Sequence, residues 1–322
     1  MDSMSNTSIL GTIDPEITDR LVSRRQAIAK GAAVGSTVAM GLAMASVPVA
    51  LAALSSEAYG QGSALPADIK AVLDFALALE IFENEFYKAV LTSSAFAGAR
   101  AGITGAALAT VQQIQKHEEA HVAFLKAQGA TSTLTATDFD FTGGRGSGNG
   151  PFKAATTDTA FLLTVAQGAE DTGVRAYKGQ AGNLIGNNDA THNAVLEAAL
   201  RIHSVEARHA ARIRRIRRLA LGAPDVVRLS GTIRGGGAAA AGATGSPSAD
   251  VVAAFDKIYG GATPESNTTH VVFNGTAEAS INAASLPNLQ GGTDAVTEAF
   301  DEPLTKAEVI AIVQPFFIPS LS

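Results

Sequence analysis

Four segments of this chain share one feature that limits what they can fold into: each has a glutamate in the middle of an apolar helical seam. Steps of three and four residues stay on one face of a helix, and from Leu73 they lead through Ala76 to Glu80. The glutamates that interrupt the four seams are Glu80, Glu118, Glu170 and Glu206. Because an unpaired charge is costly to bury, such helices must either keep these acids protonated or enclose something cationic.

The seams predict four helices. Their expected ranges are about Pro66–Leu91, Thr104–Gln128, Thr157–Gln180 and Ala190–Leu221. Short connections join the first helix to the second and the third to the fourth, which predicts two antiparallel hairpins. The connection between the second and third helices has about 29 residues, enough to run the whole length of a bundle. We therefore expect an all-α fold, an antiparallel four-helix bundle with a long crossover between helices 2 and 3.

The spacing of the four glutamates indicates that they lie at one height in this bundle. Glu80 and Glu118 are 38 residues apart, and Glu170 and Glu206 are 36 residues apart. Because each pair is joined by a short turn, its two members come to a similar depth. Glu80 and Glu170 are 90 residues apart, and Glu118 and Glu206 are 88 residues apart, which also predicts two duplicated hairpins related by a pseudo-twofold axis.

Two histidines join the four glutamates on the seams. His121 and His209 each follow a seam glutamate by three residues and therefore share its helix face. Imidazole with carboxylate suits Fe or Mn, and four glutamates balance the charge of two divalent ions. The pattern predicts a dinuclear Fe or Mn centre of the kind that four-helix bundles build, with Glu83 as a candidate further ligand. The expected ligands are Glu80, Glu118, His121, Glu170, Glu206 and His209. The alternatives are a buried polar cluster or a site that has lost its metal and, for Glu83 alone, a solvated acid.

The N-terminal region is expected to be an export signal rather than part of the fold. The segment SRRQAIAK precedes an apolar run of 24 residues that carries no charge. The arginine pair, the Gly- and Ala-rich stretch and the small residues after it resemble a twin-arginine signal, cleaved after Ala52 or Gly60. Ala27 stands where the usual signal has Phe. The expected location is the periplasm or cell envelope, with the twin-arginine export machinery as a partner; the alternative is an uncleaved membrane anchor.

Composition divides the chain into three regions. Residues 1–60 would be the signal and a short linker, residues 61–222 the bundle, and residues 223–322 a Gly/Ala-rich linker with a C-terminal extension. The extension is expected to be mostly irregular, with short helices at SADVVAAFDKIYGG and at LTKAEVIAIV, where Thr305 and Glu308 form a capping box. Its expected role is to cover the bundle or to contact a partner.

Four motifs resemble, in order and spacing, those of the ferritin-like superfamily, especially its rubrerythrin-like branch. They are EIFENEFY, EEAH, EDTGVRAY and EARH, and the resemblance covers about residues 65–220. With the export signal and the tail FDEPLTKAEVIAIV, the layout is similar to bacterial ferritin-like proteins related to desiccation-associated proteins. The resemblance implies a ferritin-like bundle with the same six ligands, and hydrogen bonds from Tyr87 and Tyr177 near the site.

One position departs from the rubrerythrin pattern. Rubrerythrins carry another carboxylate one turn after the third-helix glutamate, where this chain has Gly173, whereas the pseudo-symmetric position is Glu83. We expect Glu83 to be a seventh ligand from the opposite helix and Gly173 to leave a coordination position open. His203 lies off the seam and is expected to pack or to make a hydrogen bond near the site.

The remaining polar motifs are expected to be structural. His117, Glu119, His192 and His270 are expected in exposed positions. The arginines of RHAARIRRIRR are expected to cover the faces of the fourth helix outside the seam, where they complement the helix dipole. The segment GGRGSGNG lacks the Lys-Ser/Thr of a phosphate-binding loop, so it is interpreted as an ordinary loop.

A dinuclear centre with an open position predicts an exported redox enzyme that acts on O2 or peroxide, of the oxidase, peroxidase or catalase kind, and protects the envelope. The chain has no Cys, which excludes thiolate metal sites and a fused rubredoxin-type electron donor, so any reductant would be external. A net charge of −6 argues against nucleic acid as a partner. The alternatives are a metal-stabilised structural or stress protein and, ranked last, iron storage; a homo-oligomer is left open.

Overall fold

The computed structural model describes residues 65–185, 189–220, 248–260, 264–273, 278–288 and 292–321. The expected export signal and most of the Gly/Ala-rich linker lie outside these residues. Within them, no helix combines the length and the apolar character that a membrane span requires.

Four long helices form the bundle, and each lies within two residues of its predicted range. They are α1 (Ala67–Thr92), α2 (Gly105–Ala127), α3 (Thr159–Ala181) and α4 (Ala190–Ala220). The most extensive packing is between α1 and α2 and between α3 and α4, as two hairpins require. The predicted all-α bundle with a long crossover is therefore confirmed.

The crossover between α2 and α3 contains the glycine-rich segment, which forms a loop around one of the chain's own acids. The Asp140 carboxylate accepts hydrogen bonds from the backbone N–H groups of Thr142 at 3.0 Å and of Gly146 and Gly148 at 2.9 Å each. Burial raises the pKa of Asp140, but the hydrogen bonds from Thr142 and the loop amides outweigh it and lower that pKa. The anion that these amides bind is thus Asp140 itself.

In its described residues, the extension after the linker has three short α-helices and a β-hairpin. The helices are α5 (Ala249–Tyr259), α6 (Gly292–Ala299) and α7 (Lys306–Val313), and strands β1 (Thr269–Phe273) and β2 (Glu278–Asn282) pair antiparallel. Ser248 caps α5, and Thr305 and Glu308 form the predicted capping box of α7. The hairpin was not predicted, because two five-residue strands give too short an alternation to stand out in sequence.

The extension covers one side of α3, where small residues allow close approach. A β-carbon at Gly168 would lie 2.8 Å from the Phe255 ring of α5. Arg175 is almost completely buried; its Nε donates to the Glu302 carbonyl at 2.7 Å and lies 3.0 Å from a Glu265 carboxylate oxygen. Of the two roles expected for the extension, the structure shows the first, covering the bundle.

The arginines of α4 do not all lie on its outer faces, where the sequence predicted them. Arg217 is fully buried rather than on an outer face, and it donates to the Gln167 side-chain oxygen at 2.5 Å. Arg214 donates to Asp171 at 2.8 Å, and the same carboxylate accepts a hydrogen bond from the Tyr259 hydroxyl at 2.7 Å. The prediction was wrong because α3 and α5 supply polar partners at faces that helical periodicity alone assigns to water.

Two histidines expected in exposed positions are instead packed. His192 is buried and its ring lies between two carboxylates, with Asp189 at 2.6 Å and Asp68 at 3.0 Å. It thereby joins the start of α4 to the start of α1. His270 is half-buried and stacks on the Phe300 ring, with 3.8 Å between the ring centroids.

We expect Gly179→Ala to lower the free energy of unfolding by about 1–3 kcal/mol, the usual cost of overpacking. A β-carbon at this position of α3 would overlap the backbone carbonyl oxygen of Leu304 in the extension. Gly182→Ala is the matched control, because nothing lies within 4 Å of its β-carbon position. Urea denaturation of both variants measures the difference, and equal midpoints would show that the extension does not pack on Gly179.

Candidate metal centre

The six side chains that the sequence singled out converge inside the bundle. Each lies on the inward seam of its helix at mid-length, and each is buried. Glu80 comes from α1, Glu118 and His121 from α2, Glu170 from α3, and Glu206 and His209 from α4.

These side chains form two groups, each built around one imidazole nitrogen. In the first group, Nδ1 of His121 lies 3.1 Å from Oε2 of Glu80, 3.2 Å from Oε2 of Glu118 and 3.1 Å from Oε1 of Glu206. In the second group, Nδ1 of His209 has three carboxylate neighbours. They are Oε1 of Glu118 at 2.8 Å, Oε2 of Glu170 at 3.2 Å and Oε2 of Glu206 at 3.5 Å.

The two groups share Glu118 and Glu206. Each of these carboxylates turns one oxygen towards His121 and the other oxygen towards His209. Glu80 belongs to the first group only and Glu170 to the second only. The arrangement therefore has two bridging and two terminal carboxylates.

Hydrogen bonding within the protein does not satisfy this cluster. A ring nitrogen carries at most one proton, whereas three carboxylate oxygens surround each Nδ1. Both oxygens of Glu206 and one each of Glu118 and Glu170 have no hydrogen-bond partner. In each group the candidate ligand atoms lie within 4.8 Å of one another. Buried carboxylate oxygens that lack a hydrogen-bond donor are suited to binding cations, so the residues present could hold metal ions.

The terminal and the bridging carboxylates differ in how readily they ionise. Burial raises the pKa of Glu80 to about 8 and raises that of Glu170 well above its ordinary value. Burial acts in the same direction on Glu118 and Glu206, but attraction to the two neighbouring imidazoles, His121 and His209, outweighs it and lowers their pKa values. The bridging carboxylates are thus the more readily ionised pair, and cations that bind here would displace protons from the terminal pair.

The two tyrosines of the motifs lie against the terminal carboxylates. The Tyr87 hydroxyl donates to Glu170, and the Tyr177 hydroxyl donates to Glu80. Each tyrosine therefore reaches the glutamate of the other hairpin, as a pseudo-twofold arrangement requires. His203 makes no such contact; its Nδ1 lies 3.0 Å from the Val174 carbonyl oxygen.

Glu83 lies beside the cluster but in neither group. It is 4% exposed, and its Oε1 would be 3.3 Å from a β-carbon at Gly173. Burial and the charges of Glu206 and Glu170 raise the pKa of Glu83 well above its ordinary value. Glu83 thus fills the space that a side chain at position 173 would take, and its role as a seventh ligand stays a prediction.

His117 was expected in an exposed position, but it is half-buried and lies against the site. Its Nδ1 lies 2.9 Å from Nε2 of His209, and the two rings stack with 13° between their planes. On its other side, Nε2 of His117 lies 2.8 Å from the Gln113 amide nitrogen. The available signal was the spacing of four residues between His117 and His121, which places both on one side of α2. Glu119 is exposed, as expected.

Fold and site together define a helical bundle with an interior carboxylate–histidine cluster. Residues 68–218 match the family model described as the ferritin-like domain. This part of the chain is a ferritin-like domain, which confirms the superfamily that the four motifs indicated. No match to the chain was found among curated proteins or among solved structures.

We expect His117→Ala to weaken the binding of Mn²⁺ by about 10- to 100-fold, the usual cost of losing the group that orients a histidine ligand. Without His117, the His209 ring loses the contact that holds its Nδ1 towards the carboxylates. Glu119→Ala is the control, because that side chain is exposed on the same helix. Chelator competition measures the Mn²⁺ affinity of both variants. If the two affinities fell equally, or if neither fell, His117 would not orient His209 for metal binding.

Proposed function

We propose that this chain is an exported ferritin-like protein that binds a pair of Fe or Mn ions and performs redox chemistry on O2 or peroxide in protection of the cell envelope. The observation that carries the proposal is the sharing of Glu118 and Glu206 between two imidazole-centred groups. A cluster built for a single ion would have no need of carboxylates directed to both sides.

The donor atoms favour these metals. Four carboxylates and two imidazoles form a set that suits Fe and Mn, and four negative charges balance two divalent ions. When bound, such ions supply one-electron changes between divalent and trivalent states and a coordination site for an oxidant.

The protein's own groups would set the conditions for that chemistry. Burial excludes bulk water from the six side chains. Tyr87 and Tyr177 orient the terminal carboxylates, and their hydroxyl protons lie where a proton can pass to Glu170 or Glu80. Gly173 leaves one side of the cluster without a side chain from α3, and Glu83 approaches there from α1.

The source of electrons depends on the oxidant. The chain has no Cys and hence no rubredoxin-type donor of its own, so an oxidase or peroxidase cycle would take electrons from an external reductant. Disproportionation of peroxide to O2 and water needs no donor. The proposed export is supported by the arginine pair Arg24 and Arg25 and the apolar run that follows it. A twin-arginine route suits a metal-binding protein, because it carries proteins that are already folded.

In protein purified from its own host, we expect elemental analysis to find about two Fe or Mn ions per chain. Glu118→Ala should lose at least half of this metal, because it removes a carboxylate common to both groups, whereas Glu119→Ala should retain it. Circular dichroism establishes that each variant is folded. Wild-type protein without either metal would overturn the proposal.

The same preparation separates the proposed enzyme from a structural protein and from a store. Metal-loaded protein should release oxygen from peroxide or consume O2 with a reductant. Loaded protein that is inert to both would favour a structural role for the ions, and a closed shell on size-exclusion chromatography would favour iron storage.

Glu83→Ala tests the seventh ligand. We expect it to weaken metal retention and peroxide reactivity by about tenfold, a typical effect of removing a group that holds or tunes a metal site. Glu85→Ala on the same helix is the control, because Glu85 lies outside both ligand groups. Wild-type metal content together with wild-type peroxide reactivity in Glu83→Ala would remove Glu83 from the site.

A further inference from the structure

An apolar cavity of about 30 Å³ lies inside the bundle next to the candidate metal centre. All four long helices line it, and it extends from the cluster towards the end of the bundle where Gln128 and Gln180 lie. Alanines at its wall, among them Ala76 and Ala199, leave the space open. The cavity has room for one molecule of a few heavy atoms.

The wall of this cavity is shared with the ligand set. Tyr177 lines the cavity, and its hydroxyl donates to Glu80. Ala76 lies one helical turn before Glu80, and Ile202, which also lines the cavity, lies one turn before Glu206. A molecule in the cavity would therefore lie one residue layer from the carboxylates.

The chemistry of the wall selects an apolar occupant. A buried water molecule needs two to four polar partners, and two of the few polar groups here already have partners within the protein. The Tyr177 hydroxyl bonds to Glu80, and the Gln180 side-chain oxygen accepts a hydrogen bond from Asn183 at 3.0 Å. Every other lining residue except Gln128 is apolar. Peroxide, which donates and accepts hydrogen bonds, would lose them here, whereas dioxygen would lose none.

We propose that this cavity is a binding site for dioxygen on the Glu80 side of the metal centre. The inference rests on the proposed redox function and narrows it, because it makes O2 rather than peroxide the oxidant that reaches the ions through the bundle interior.

Filling the cavity tests this site. Ala76→Leu and Ala199→Leu place a larger apolar side chain into it from α1 and from α4. The control is Ala254→Leu at a second apolar cavity, of about 40 Å³, which lies between α1, α3, α5 and α7 and is lined by neither of the tyrosines that contact the terminal carboxylates. Thermal melting checks that all three variants are folded.

Two measurements are made on each protein. Xenon is an apolar probe of such cavities, and its binding to metal-free protein is followed by xenon NMR. The rates of O2 consumption and of peroxide consumption are then measured on protein loaded with Fe²⁺. We expect both cavity-filling variants to lose xenon from this site and to react with O2 about tenfold more slowly. Their peroxide rates, and all rates of Ala254→Leu, should stay within about twofold of wild type.

The outcomes separate this inference from the proposed function. Wild-type protein without xenon in the cavity, or filled variants that keep the wild-type O2 rate, would overturn the dioxygen site and leave the redox function standing. Equal slowing of both oxidants would also overturn it, since the cavity would then not discriminate. Wild-type protein that takes up Fe²⁺ but reacts with neither oxidant would overturn the redox function itself and the cavity's part in it.

Discussion

The interaction on which the rest of the structure depends is the burial of four carboxylates around two imidazoles at mid-height of the bundle. Each carboxylate loses its hydration, and the cluster cannot satisfy its own oxygens by hydrogen bonding. The apolar seams above and below the cluster and the tyrosines against the terminal carboxylates hold these groups together. A pair of cations is the simplest partner that neutralises charge and fills the open lone pairs at once.

The cluster is pseudo-symmetric, and its departures from symmetry carry chemical meaning. The Tyr87–Glu170 and Tyr177–Glu80 contacts match each other across the axis. Glu83 faces Gly173 rather than another acid. His117 of α2 contacts His209, whereas the pseudo-symmetric position on α4 is Val205, which has no polar side-chain group to offer His121. The apolar cavity borders the Glu80 side. The two halves of the bundle thus offer different surroundings to two otherwise equivalent groups of candidate ligands.

The C-terminal extension changes the electrostatics of the outer face of α3. It covers Arg175 and Asp171, and it supplies their polar partners from the Glu302 carbonyl and the Tyr259 hydroxyl. Burial raises the pKa of Glu265, which lies beside Arg175, to about 7. Removing one partner from such a network leaves a buried charge unpaired, so the extension is part of the stable fold of the bundle.

The sequence by itself determined the four helices to within two residues and placed six ligand candidates at one height, because helical periodicity is local and its seams can be followed in the sequence. Only the tertiary structure decided which oxygen of Glu118 and of Glu206 faces which imidazole, that His117 supports His209, and that His192 and Arg217 are buried. It also decided the β-hairpin and where the extension packs. These features depend on contacts between residues far apart in the chain, for which a helical period of 3.6 residues carries no information.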